Sequence, residues 1–86
     1  MIVTYAPRFL RQLKKLEPRL KAEAKERIVL FKENPYNPTF RIHKLHGELS
    51  ECWAFWINYR YRIIFEYQAG GINFLKVDDH DGYKNK

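Results

Sequence analysis

The chain has 86 residues, of which 45% are hydrophobic and 16% aromatic, and its formal net charge is +6 at pH 7. This length predicts one domain spanning residues 1–86 with a single core, and the aromatic content argues against intrinsic disorder. The single cysteine, Cys52, excludes an internal disulfide, and no apolar run is long enough for a signal peptide or a membrane span. We therefore expect a cytoplasmic protein whose positive charge favours an anionic partner, with nucleic acid, an acidic protein and a membrane surface all permitted.

The N-terminal half predicts a strand followed by two helices. The β-branched and aromatic residues Ile2–Tyr5 are typical of a strand. Pro7 suits the first turn of a helix, and Pro18 ends that helix and begins another. Apolar residues then recur at helical spacing, at Phe9, Leu10, Leu13 and Leu16 in the first helix and at Leu20, Ala24, Ile28 and Phe31 in the second. The turn-rich residues 34–38 end the second helix, so the two helices are expected to form a hairpin.

From Phe40 onward the apolar period changes to two, which predicts strands. The four strand segments are RIHKL (41–45), CWAFWIN (52–58), YRYRIIFEY (59–67) and INFLKV (72–77). Gly47 and the AGG sequence at 69–71 mark turns between them. Because the helices precede the strands, we predict an α+β domain in which both helices pack on one face of an antiparallel β-meander.

Strict alternation in the strands sorts their side chains between the helix-covered face and an open face. In the 59–67 segment the predicted core set is Tyr59, Tyr61, Ile63, Phe65 and Tyr67, and the open set is Arg60, Arg62, Ile64 and Glu66. In the 52–58 segment the core set is Trp53, Phe55 and Ile57, and the open set is Cys52, Ala54 and Trp56.

The open face is therefore expected to combine guanidinium groups with an aromatic plane. Arginine matches phosphate through its planar fork of donors, and unpaired bases stack on an exposed Trp. Arg60, Arg62 and Trp56 together favour RNA or another single-stranded nucleic acid. The alternative is a surface ion-pair network with Glu66, in which Trp56 packs under a loop.

Three features resemble the RelE/ParE superfamily of toxins from toxin–antitoxin pairs. The first is a basic strand that ends in a short turn, HKLHGEL. The second is a pattern of the form W-x-x-x-I-x-x-x-Y-R followed by three apolar residues, here Trp53, Ile57, Tyr61, Arg62, Ile63, Ile64 and Phe65. The third is a tail containing His and Tyr after the last strand. The helical half agrees in layout, so the resemblance covers essentially the whole chain and is strongest toward the ribosome-dependent mRNA endonucleases.

The resemblance implies a microbial RNase-like fold and cleavage of mRNA in the ribosomal A site without a metal or another cofactor. It also implies the ribosome, mRNA and a cognate antitoxin as partners, and no membrane. In such cleavage the 2′-hydroxyl of the RNA attacks the adjacent phosphate, which calls for a base, a cation and an acid.

The resemblance also suggests catalytic residues. Arg62 lies where the family places its phosphate-binding arginine. His43 lies where some relatives have the base, and an imidazole can exchange a proton near neutral pH. His80 matches a tail histidine that could act as the acid, and Tyr83 could position the ribose or stack on a base. The alternatives are a surface ion pair for Arg62, a solvated strand histidine for His43 and a frayed C-terminus for His80 and Tyr83.

Further residues are candidates for RNA binding: Arg60, Lys44, Trp56, Asp81, Lys84, and the helical stripe Arg8, Arg11 and Lys15. The chain also departs from its best-known relatives, which carry lysines where it has Ala54 and Trp56. This departure favours a subgroup that works with His and acidic residues, or a weak or degenerate enzyme.

Other interpretations of the sequence are a metal site, a gyrase-directed toxin and an inactive homologue. His43 and His46 have H-x-x-H spacing, but residues three apart on a strand point to opposite faces, so no metal site is expected. A ParE-like toxin would poison DNA gyrase through protein contacts and would need no arginine or histidine chemistry. A homologue that has lost activity would act only as a binding module.

Overall fold

The computed structural model describes residues 2–79; Met1 and residues 80–86 lie outside the described part of the chain. The fold is α+β, as predicted, with two helices on one side of a five-stranded sheet. In chain order the elements are β1 (Ile2–Tyr5), α1 (Pro7–Lys15), α2 (Pro18–Glu33), β2 (His43–Lys44), β3 (Trp53–Trp56), β4 (Tyr61–Gln68) and β5 (Gly71–Asp79). No helix within residues 2–79 is long and apolar enough to cross a membrane.

The sheet is mixed and has the strand order β1-β5-β4-β3-β2. Strands β2 to β5 form the predicted antiparallel meander. The N-terminal strand β1 instead joins the edge beside β5 in parallel, with Ile2 opposite Gly71 and Tyr5 opposite Phe74. The first and last described strands are thus neighbours, and α1 begins directly beside β5.

Pro7 and Pro18 begin helices, as predicted. Pro7 and Pro18 occupy the first turns of α1 and α2, where the missing N–H is not needed. Glu17 also caps α2, because its carboxylate accepts hydrogen bonds from the backbone N–H groups of Arg19 and Leu20 at 2.8 and 3.2 Å. The two short helices therefore have a sharp, fixed break between them.

A phenylalanine cluster joins the helices to the sheet. All six phenylalanines of the chain are buried, at Phe9, Phe31, Phe40, Phe55, Phe65 and Phe74. Phe31 of α2 lies at their centre, stacked 4.1 Å from Phe55 and edge-on to Phe40, Phe65 and Phe74. Aromatic pairs at these separations add about 0.5–1.5 kcal/mol each beyond area burial, so this cluster fixes which face of the sheet is covered.

The turn before β4 corrects part of the predicted alternation. Residues 57–60 form the connection between β3 and β4, and the Asn58 side chain accepts hydrogen bonds there from the N–H groups of Arg60 and Tyr61. Tyr59 is consequently 76% exposed, and Tyr67 near the other end of β4 is 56% exposed, so neither is a core residue. The predicted core positions between them, Ile63 and Phe65, are buried.

A β-bulge interrupts the pairing of β4 with β5. Phe65 lies opposite Phe74 and Ile64 lies opposite Lys76, which leaves Leu75 as the extra residue. A bulge reverses the alternation of the residues beyond it. Phe74 therefore faces the helices, whereas Lys76 lies on the open face with Ile64.

Replacing Gly71 by Ala should destabilise the fold. A Cβ at this position would collide with the backbone carbonyl of Ile2, its partner residue in the neighbouring strand β1. We expect a loss of about 1–3 kcal/mol in the free energy of unfolding measured by urea titration. The exposed neighbouring substitution Ala69→Ser should change it by less than about 0.5 kcal/mol; equal stability of Gly71→Ala and the parent would contradict the close approach of β1.

Candidate functional site

Arg62, His43 and Asp78 meet on the open face of the sheet. Arg62 Nε donates to Asp78 Oδ2 at 2.9 Å, and the side chains are only 12% and 13% exposed. Arg62 Nη1 lies 3.4 Å from His43 Nε2. The structure places Arg62 and His43, which the sequence singled out separately, side by side. Asp78 was missed because the predicted last strand ended at Val77.

The imidazole of His43 is held in one orientation by the backbone. Its Nδ1 lies 2.8 Å from the carbonyl oxygen of Arg41, which can only accept a hydrogen bond, so Nδ1 carries the proton. In the neutral ring Nε2 is then unprotonated and turned toward Arg62. Arg41 reaches this position through a left-handed backbone conformation, with φ 49°. The arrangement places a proton acceptor beside a cation.

Trp56 lies on the same face, directly opposite Arg62 in the β3–β4 register. The Arg41 guanidinium carbon is 4.7 Å from the centre of its ring, within the range of a cation–π contact. The backbone carbonyl of Trp56 accepts two hydrogen bonds from Arg27 of α2, each 3.2 Å long. The tryptophan is therefore anchored at the edge of the site, and Arg41 joins the cations that the sequence had identified there.

The open face also carries an apolar cluster. Leu45, Ala54 and Ile64 are buried there, with Leu49, Cys52 and Leu75 packed against them. Ala54 is fully buried, so the lysine of the best-known relatives would place a charge within an apolar contact at this position. The short turn Gly47–Leu49 carries Leu49 onto this face. The apolar cluster and the Arg62–Asp78 pair thus share one face of the sheet.

Several predicted RNA-binding residues lie elsewhere. Arg60 does not share the face of Arg62, because it precedes β4: it pairs with Asp79 at 3.1 Å and lies over Tyr61. Lys44 is opposite Trp53 in the register and so leaves the sheet on the other side from His43. Arg8, Arg11 and Lys15 are exposed on α1. His80, Asp81, Tyr83 and Lys84 lie outside the described residues.

Cys52 packs against the apolar cluster of Leu45, Ala54 and Ile64. Burial raises the pKa of the Cys52 thiol, and the negative charges of Glu66 and Glu51 raise it further, against a smaller opposing effect of Lys76. The thiol form is therefore favoured. Across residues 2–79, no group of three or more His, Cys, Asp and Glu side chains is arranged to hold a metal ion.

Removing the Asp78 carboxylate should destabilise the protein far more than removing that of its neighbour. Asp78→Ala leaves a largely buried guanidinium without this carboxylate, and we expect a loss of about 2–4 kcal/mol in urea unfolding. Asp79→Ala removes the partner of Arg60 in a pair that is 48% and 38% exposed, and should cost less than about 1 kcal/mol. Equal losses would mean that burial of the Arg62–Asp78 pair does not increase its contribution to stability.

The Cys52 thiol should react slowly with alkylating agents. Since only the thiolate reacts, a raised pKa means that iodoacetamide modifies folded Cys52 more slowly at pH 8 than it modifies the urea-unfolded chain. The rate should keep rising with pH beyond the range in which an ordinary cysteine reaches its plateau. Glu66→Gln should lower the pKa and speed modification at pH 8; an unchanged rate would contradict the electrostatic contribution of Glu66.

The chain has the fold of several RelE/ParE toxins, which confirms the resemblance at the level of structure. YafQ from E. coli strain BL21(DE3) superposes with a TM-score of 0.76 and 15% identity over 95% of this chain and 96% of its own. A YoeB/ParE toxin from Agrobacterium tumefaciens gives a TM-score of 0.71 and 14% identity over 93% and 99%. The YoeB–YefM complex from Staphylococcus aureus gives 0.69 and 15% over 93% and 97%.

No protein-family model matches the chain, and no curated protein matches it at a significant level. At 14–15% identity the structural similarity concerns the fold. The site must therefore be interpreted from its own residues.

Proposed function

We propose that this protein is the toxin of a type II toxin–antitoxin system and cleaves mRNA on the ribosome. The observation that carries the proposal is the contact of Arg62 with both Asp78 and His43 on the open face of a RelE/ParE-like fold. A structural surface network would not require a histidine whose Nδ1 is bonded to the backbone and whose Nε2 faces the arginine. That geometry suits a base next to a phosphate.

The proposed reaction is an internal attack within the RNA. His43 Nε2 accepts the proton of the 2′-hydroxyl as the bond from the 2′ oxygen to phosphorus forms. Arg62 stabilises the negative charge that develops on the phosphate oxygens, and Asp78 holds the guanidinium in place. The bond from phosphorus to the 5′ oxygen breaks, and that oxygen takes a proton from an acid, for which His80 and Tyr83 are the candidates.

A cognate antitoxin is the second part of the proposal. The YoeB–YefM complex from Staphylococcus aureus contains a chain with the same fold. The net charge of +6 on this chain favours a partner with acidic segments, which would compete with RNA for the basic surface. Such a partner would keep the toxin inactive in the cell.

Induction of the parent protein should stop translation, and Arg62→Ala should relieve that arrest. Loss of one preorganised charge at a transition state typically lowers a rate by about 10²–10³-fold, so the variant should restore methionine incorporation and growth. His43→Ala should do the same through loss of the base. Arg19→Ala, an exposed arginine at the start of α2, serves as the matched control and should arrest translation as the parent does.

The same experiment separates the rival activities. Pulse labelling with thymidine and methionine reports which process falls first after induction. An early fall in thymidine incorporation, with methionine unaffected, would favour a gyrase-directed toxin and would end the ribonuclease proposal. Arrest by Arg62→Ala at the parental rate, with the variant folded by circular dichroism, would disprove the assigned site.

A further inference from the structure

The guanidinium of Arg27 on α2 joins two backbone segments that carry the site. Its Nη2 donates to the carbonyl oxygen of Thr39 at 3.0 Å, and its Nε and Nη2 both donate to the carbonyl oxygen of Trp56 at 3.2 Å. The guanidinium carbon lies 4.3 Å from the centre of the buried Phe40 ring. Two carbonyl oxygens can only accept and cannot bond to each other, so the donors of Arg27 hold the two segments together.

This bridge lies where the pairing of β2 with β3 stops. The pairing begins at His43, because Arg41 has a left-handed backbone conformation, with φ 49°, that turns the chain out of the strand. A residue other than glycine seldom adopts this conformation unless its surroundings hold it there. Thr39, two residues earlier, is held by Arg27. The bridge therefore replaces strand pairing on the N-terminal side of His43 and restrains Arg41.

Both bridged segments determine where His43 meets Arg62. The Arg41 carbonyl oxygen lies 2.8 Å from Nδ1 of His43, so its position sets the tautomer of the ring and the direction of Nε2. Trp56, whose carbonyl is the other end of the bridge, lies opposite Arg62 in the register of β3 with β4. The 3.4 Å separation of His43 Nε2 from Arg62 Nη1 thus depends on the distance that Arg27 fixes between the segments.

We infer that Arg27 is a positioning residue for His43. By bridging the carbonyls of Thr39 and Trp56 from the helix-covered side of the sheet, it fixes the Arg41 carbonyl and with it the Nδ1–H tautomer of the imidazole. The consequence for catalysis rests on the proposed ribonuclease function, in which that tautomer leaves Nε2 free to accept the proton of the 2′-hydroxyl. The consequence for the imidazole itself does not depend on that function.

The tautomer of His43 tests the inference directly in the full-length protein. At about pH 9, where an imidazole is ordinarily neutral, the NMR shifts of the ring nitrogens distinguish Nδ1–H from Nε2–H, and the parent should show the Nδ1–H form. Arg27→Lys keeps the charge but loses the planar fork of donors, and Arg27→Met keeps much of the side-chain bulk. Both variants should shift His43 toward a mixture of the two forms. Phe9→Leu, a core substitution beside Phe74 toward the opposite edge of the sheet, should leave the tautomer unchanged.

Cleavage of ribosome-bound mRNA gives a second readout. Both Arg27 variants should lower the maximal rate by about 10–100-fold with little change in the half-saturating concentration, because a displaced base slows the chemical step rather than binding. Phe9→Leu should keep the parental rate under conditions in which it is folded.

A parent without the Nδ1–H form, an unchanged tautomer in both Arg27 variants, or the same change in Phe9→Leu would overturn the inference. If neither Arg27 variant folds, the parent decides it: the Arg27 Nε proton should exchange with water at least about tenfold more slowly than that of the exposed Arg19. Equal exchange rates would contradict the bridge. A parent that does not arrest translation would instead remove the ribonuclease proposal, while the tautomer would still decide the role of Arg27.

Discussion

The bulge at Leu75 is the constraint on which the open face depends. Without the extra residue, Lys76 and Asp78 would share the face of Ile72 and Phe74 and would point into the phenylalanine core. Burying two charges there would cost several kcal/mol each. With the bulge, β5 contributes apolar side chains to the core in its first half and charged side chains to the open face in its second. The carboxylate that orients Arg62 is a direct consequence.

The aromatic core lies on the other side of the sheet and holds both helices there, so the open face is not covered by them. Phe31 packs against rings from β3, β4 and β5, so α2 is fixed over the centre of the sheet. Arg27 of the same helix then reaches the carbonyl of Trp56 and ties the helix to the edge of the site. The contacts of α2 therefore both stabilise the fold and fix the edge of the site at Trp56.

The open face combines a charged cluster with an apolar one. The ion pair of Arg62 and Asp78, with His43 beside it, is charged and largely buried. The cluster around Ala54 and Ile64 is apolar. Ala54, where the sequence resemblance led us to expect a lysine, is part of this apolar cluster.

The sequence by itself determined the α+β class, the proline-initiated helices and the facing of Arg62 away from the core. These depend on local geometry, namely the periods of 3.6 and 2 and the fixed φ of proline. It also suggested His43 as a candidate base, through its resemblance to a known family. Only the tertiary structure decided that Arg60 turns toward Asp79 and that Asp78 meets Arg62, because a turn and a bulge each interrupt the alternation. Such interruptions arise where distant strands are brought into register, and register is set by packing across the whole sheet.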